Sequence, residues 1–141
     1  EQEARFKLAL VGLAGSFDKE PAALSGGMKK RAAIARALAL NPALLFLDEP
    51  SAGLDPLTSA HLDELIMHLR DDLGTSVVMV SHELASIFAL ADRVLFLDAQ
   101  TRTMTALGPP NELLQSGPPG VQSFLRRTPE PVTAAAGEVQ A

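Results

Sequence analysis

Ser25-Gly26-Gly27, Asp48-Glu49 and His82 are the residues of this chain whose types and neighbours could do chemistry. The first run stands where a helix begins. A helix start presents unpaired N–H groups and partial positive charge. Two glycines let an anion approach the backbone closely, and the Ser hydroxyl adds a donor, which together make a phosphate site. The two acids close the apolar run Leu44-Leu45-Phe46-Leu47 and precede Pro50. A carboxylate at the tip of a buried strand is desolvated at a cost unless a cation or water meets it. Asp48 suits a magnesium ligand acting through water, because magnesium keeps much of its hydration shell. Glu49 points to the other side of an alternating strand and suits a general base aimed at a water in line with a terminal phosphate. His82 follows a second apolar strand at Val80-Ser81-His82-Glu83, and ligands bind at the strand ends of parallel sheets. A neutral imidazole there could donate to a phosphate oxygen and orient the attacking water. Each feature also has a plainer explanation: a loop-to-helix cap, a strand ending in solvated acids, and a histidine in a turn.

These residues need elements to hold them. Residues 3 to 14 read as the end of a helix and 15 to 23 as a loop. Ser25 is a good N-cap for a helix reaching about Leu40. Ile34 and Leu38 lie on its inner face, Ala32, Ala35 and Ala39 allow close packing, and Asn41-Pro42 stops it. The run from Ala43 to Leu47 predicts a strand covered on both faces. Asp55-Pro56 opens a second helix, Leu62, Leu65, Ile66, Leu69 and Leu73 form its apolar stripe, and Gly74 ends it. Ser76 to Val80 reads as another strand, Glu83 to Ala91 as a short helix with Leu84, Ile87, Phe88 and Ala91 inward, and Val94 to Leu97 as a third strand pairing across a turn with 103 to 107. Short helices follow at 110 to 115 and 121 to 126, and the Pro-, Ala- and Glu-rich tail from 128 to 141 reads as disordered. Strands alternating with helices predict an α/β layered fold. His61 and His68 fall outside the main stripe of their helix and read as surface or packing residues. Lys29, Lys30, Arg31 and Arg36 read as a solvated basic face.

Bulk properties narrow the classes. At 141 residues the chain is one domain or part of one, and 47% hydrophobic residues allow a real core. The absence of cysteine excludes disulfides and thiolate metal sites. A net charge of −5 argues against a nucleic-acid binder. No apolar run approaches the roughly 18 residues that suggest a membrane span. The chain starts at Glu1 with no signal-like segment, and a soluble, intracellular and truncated protein is expected. No Gly-rich loop ending in Gly-Lys-Ser or Gly-Lys-Thr occurs anywhere in it.

Taken together, the residues resemble the ATP-binding cassette (ABC) ATPases over about residues 3 to 110. Leu24 to Met28 matches the signature motif, with Met where Gln is commoner. Leu44 to Glu49 matches the Walker B strand plus catalytic Glu, Ser51 to Asp55 the D-loop, and His82 the switch histidine. The stretches Lys-Leu-Ala-Leu-Val-Gly-Leu and Val-Ser-His-Glu-Leu-Ala-Ser-Ile-Phe look most like the phospholipid-trafficking (Mla-type) branch. The resemblance implies ATP and magnesium, and a homodimer in which two subunits sandwich two nucleotides. Leu24, Ser25, Gly26, Gly27 and Asp55 would bind the nucleotide, the signature residues acting in trans. Asp48 would serve the metal, and Glu49 and His82 catalysis. It implies permease subunits, a periplasmic lipid-binding protein and a small cytoplasmic partner, at the cytoplasmic face of the bacterial inner membrane, and no nucleic acid.

The Walker A loop and strand and the Q-loop are absent. The expected fold is therefore an incomplete P-loop NTPase (RecA-like) parallel sheet flanked by helices. Residues 1 to 127 would be the C-terminal part of a nucleotide-binding domain: the end of the helical signature subdomain over 1 to 40, the remnant of the catalytic core over 41 to 127, and the tail beyond. In related ATPases the Walker A strand lies between the strand ending at His82 and the strand at Val94 to Leu97, which predicts a gap in the sheet. A fragment inactive by itself follows. The alternatives are an ABC-type ATPase without a permease, serving translation or DNA repair, and a non-enzymatic dimerisation module.

Overall fold

The computed structural model describes residues 1–99 and 101–128; the expected disordered tail lies, past Thr128, outside the described residues. The chain divides into two compact units, Glu1–Leu90 and the part from Ala91 onward.

The first unit holds α1 (Gln2–Leu10), α2 (Gly26–Ala37), β1 (Leu44–Asp48), α3 (Pro56–Leu73), β2 (Ser76–Val80) and α4 (Leu84–Leu90). Helix α1 stops earlier than expected, because Gly12 takes a positive φ of 70° and turns the chain so that Val11 and Leu13 enter the core. Short 3-10 turns at Ala14–Ser16 and Pro21–Ala23 occupy the predicted loop. Helix α2 begins at the predicted cap, where Ser25 Oγ accepts the Met28 N–H. It runs into a 3-10 turn, Leu38–Leu40, closed by Asn41 in the left-handed region. Asn41 Oδ1 also accepts from the buried Lys7 ammonium. Asp55 caps α3 through the N–H groups of Leu57 and Thr58, and Gly74 ends it at φ 62°, where glycine escapes the Cβ penalty.

β1 and β2 pair in parallel, from Leu44 opposite Ser76 to Asp48 opposite Val80. Side chains alternate across such a pair. Leu45 and Leu47 enter a core with Ile34, Ala35, Leu38, Leu62, Ile66 and Leu69, against which Val77 and Met79 pack. The expectation of a strand covered on both faces is corrected here. Phe46 is 70% exposed, and Leu44, Val78 and Val80 are exposed with it, because among the described residues no element lies over that face. Three inward assignments fail for related reasons: Leu73, Phe88 and Ala39 are exposed, each lying off the face that meets the core.

The second unit consists of β3 (Val94–Leu97), β4 (Met104–Gly108), α5 (Pro110–Ser116) and α6 (Pro119–Arg126). β3 and β4 are antiparallel, as the sequence predicts, with an irregularity between Phe96 and Leu97. Leu113, Val121 and Leu125 are buried, and Phe124 meets Phe96 edge-on with ring centroids 5.3 Å apart. The two strand pairs form separate two-stranded sheets.

Candidate active site at the strand tips

The parallel ladder runs one residue past β1. The Glu49 N–H donates to the Val80 carbonyl at 2.9 Å, so Glu49 lies beside the chain that carries His82. Glu49 has a φ of 45°. That left-handed conformation costs about 1–2 kcal/mol for a residue with a side chain, and it persists where neighbours over-determine it. Here they do. The Glu49 carbonyl accepts from Lys30 Nζ at 3.0 Å and from the Ala52 N–H at 3.2 Å. Its carboxylate Oε1 lies 2.8 Å from His82 Nδ1. The other carboxylate oxygen, Oε2, is buried with no hydrogen-bond partner, and so is Ser51 Oγ. Asp48, one residue back, is exposed.

The hydrogen bond with Glu49, and then the negative charge of Glu49, hold His82 above its ordinary pKa of 6.5; burial opposes this weakly and Glu83 adds a smaller push. The imidazole is largely exposed. With Nδ1 turned to Glu49, Nε2 is the nitrogen left for a further partner.

The turn at Ser25 is built differently. Leu24 is partly buried, and Ser25 and Gly26 are exposed. Gly27 meets α3 so closely that a Cβ there would come 2.8 Å from Thr58 Cγ2. Asp55 is held below the usual carboxylate range by its hydrogen bonds to the Thr58 side chain and backbone. Arg31, Leu54, Thr58, His61 and Leu62 line a shallow cleft beside Gly27. Among the described residues, no hydrogen bond joins this turn to Glu49 or His82. The structure thus brings Glu49 and His82 together and gives Ser25–Gly27 no bond to either.

Sequence reasoning missed two features. Lys30 and Arg31 are not a solvated face: both are half-buried, and Arg31 Nη1 lies 3.5 Å from the Val11 carbonyl. The signal was available, since Lys30 stands four residues before Ile34 and eight before Leu38, on the inward row. The second is a polar pair of contacts between α3 and α4. Ser86 Oγ donates to Asp63 Oδ2 at 2.8 Å, and Ser59 Oγ to Glu83 Oε2 at 3.1 Å. Asp63 is buried beside Leu62 and Ile66, its Oδ1 unpartnered. Burial raises its pKa, opposed by the Ser86 bond and reinforced by the Glu83 charge. His61 and His68 are exposed, as expected.

The family described as ABC transporter matches residues 1–52. The "Probable ribonucleotide transport ATP-binding protein mkl" of Mycobacterium tuberculosis is 41% identical over 119 residues, 84% of this chain and 33% of that protein. The nitrate transport protein NasD of Klebsiella oxytoca is 44% identical over 90 residues, 64% of this chain and 34% of its own length. Among solved structures, cbiO1 of Clostridium perfringens, part of the ABC transporter complex cbiONQ, superposes with a TM-score of 0.74 at 29% identity, covering 89% of this chain and 49% of that one. The chain spans about a third of the length of the curated relatives it matches. The α/β fold, the motif order and these relatives agree: the chain belongs to the ATPase family of ABC transporters.

Proposed function

We propose that this chain forms the hydrolytic end of an ABC transporter ATPase, with Glu49 and His82 acting together on the water that attacks the terminal phosphate of ATP. The observation that carries the reading is the 2.8 Å contact between Glu49 Oε1 and His82 Nδ1, beside a Glu49 oxygen that is buried and unpartnered. A buried acceptor without a donor is costly, and a water is the smallest group that satisfies it. Oε2 would take the proton of that water as general base. His82 Nδ1 would hold the other carboxylate oxygen in place, and its Nε2 would donate to a phosphate oxygen.

The residues present fit magnesium. Among the described residues no group of three His, Cys, Asp or Glu side chains gathers into a metal cage, whereas one exposed carboxylate, Asp48, stands at the strand tip. Magnesium bound to a nucleotide takes one or two carboxylates besides phosphate oxygens and water. Asp48 would hold the ion, which when bound offsets charge on the phosphates.

Ser25 and Gly26 are exposed, Gly27 packs against Thr58, and with Leu24 they make no bond to the acids, which supports a role on the nucleotide of a second subunit. Asp55 would fix the D-loop beside them by capping α3. Two subunits would pair head to tail and couple to a permease at the cytoplasmic face of the membrane; no helix among the described residues is long and apolar enough to cross one. Residues 1–40 would serve as signature region and 41–127 as core remnant. Without a Gly-Lys-Ser or Gly-Lys-Thr loop, this chain by itself neither holds ATP tightly nor turns it over. The branch-like stretches at 7–13 and 80–88 support a phospholipid cargo, handled with a periplasmic lipid-binding protein and a small cytoplasmic partner. The names of the relatives point instead to ribonucleotide or nitrate. Stimulation of the complete transporter's ATPase by phospholipid, and not by ribonucleotide or nitrate, would decide for lipid.

The reading is tested by Glu49→Gln in the full-length protein. ATP binding should persist while turnover falls about 10² to 10⁴-fold, the usual worth of a positioned base. Turnover near that of the wild type removes Glu49 from this role.

A further inference from the structure

We infer that Lys30 is a positioning residue for Glu49: from α2 it reaches the Glu49 carbonyl and holds the acid in the backbone conformation that aims its carboxylate at His82. The inference rests on the reading of Glu49 as the base. Four ties set Glu49: its N–H to Val80, its carbonyl to Ala52 and to Lys30, and its carboxylate to His82. Those to Val80 and Ala52 are neutral backbone bonds within the strand pair and its turn. The contact with His82 is made by a largely exposed imidazole. Lys30 alone reaches Glu49 from a helix, α2, with an ammonium as donor.

Hydrogen bonds from charged donors are the stronger ones, comparable with the cost of the left-handed conformation that Glu49 adopts. Ile34, one turn along α2, is buried in the core and anchors the helix from which Lys30 extends. That same helix starts at Ser25–Gly27. A small rotation of α2 about its packed face would therefore reach the Glu49 carbonyl through Lys30.

Two measurements test this. In this chain, the three-bond HN–Hα coupling and the carbon shifts of Glu49 report its φ by NMR. Lys30→Met should move them toward extended values, and Lys30→Arg should leave them as in the wild type. In the full-length protein, Lys30→Met should lower kcat on the order of 10 to 100-fold, the scale of a slightly misplaced group, with KM for ATP within about twofold because the binding groups are untouched. Lys30→Arg should restore kcat. If Lys30→Met does not fold, Lys30→Gln, whose amide nitrogen ends one bond short of the carbonyl, should give the same changes. Unaltered Glu49 couplings in the shortened or apolar variant overturn the inference, and so does a kcat equal to the wild type. Glu49→Gln separates the two readings: if it abolishes turnover while Lys30→Met does not, the positioning role alone fails; if it leaves turnover intact, the base assignment fails.

Discussion

The start of α2 and the tip of β1 both resemble nucleotide-handling motifs, yet they are satisfied in opposite ways. At the strand tip the bonds run between elements: the Glu49 carboxylate meets His82, and the Lys30 ammonium donates to the Glu49 backbone carbonyl. At the helix start the Ser25 hydroxyl is turned back on its own helix to cap Met28, Gly27 is pressed against Thr58, and Gly26 is exposed beside Leu54. One region is tied together by bonds between separate elements of this chain, whereas the other spends its polar groups on capping its own helix.

That contrast can be broken at several strengths. The largest stability effect is expected on the packed face of β1. Leu45→Ala should cost about 2–5 kcal/mol, the usual range for a buried leucine, read as a fall in urea midpoint. Gly27→Ala comes next. Its Cβ would meet the Thr58 methyl at 2.8 Å, and overpacking of this kind costs about 1–3 kcal/mol. If the turn were loosely seated, the variant would melt with the wild type. On the opposite face of the same strand, Phe46→Ala should change stability by less than about 0.5 kcal/mol, as exposed positions do, although it removes the larger side chain. A loss as large as that of Leu45→Ala would mean that the face is covered in solution.

The smallest effect is electrostatic. Burial raises the Asp63 pKa, so the folded state favours the neutral carboxyl. Its favourable contribution is complete below the ordinary value of 3.8 and is lost as pH rises through the folded value. Asp63→Asn keeps an acceptor for Ser86 and removes the charge. At neutral pH it should melt at or above the wild-type temperature, and the gap should close on acidification. A lower melting point at neutral pH would show that the ionised carboxylate is a net gain.

The features legible in the sequence were the local ones. The caps at Ser25 and Asp55 and the stop at Gly74 depend on bonds within a few residues, and the four strands coincide with short apolar runs, so their residue types announce them. The burial of β1 was misread because an apolar run records what a strand is built to face, and among the described residues nothing covers Phe46. Lys30 was misread because a long side chain on a helix takes its role from whatever stands opposite, here a carbonyl 19 residues away in sequence. The Asp63–Ser86 contact was missed because a polar residue inside an apolar stripe looks like a lapse in the pattern until its partner is known. The Glu49–His82 contact was half legible: two strand ends in a parallel pair predict proximity, whereas the left-handed turn at Glu49 that brings the side chains together has no signature in the residue types.

The account's central claim is that Glu49 and His82 form a bonded pair, and the NMR titration of the His82 ring tests it most directly. Because Glu49 raises the folded-state pKa of His82, the pair's stabilisation is fully present below 6.5 and is lost as pH rises through the folded value. The wild-type ring should therefore titrate above 6.5, and Glu49→Gln should return it toward that value; identical titrations in the two proteins would contradict the claim.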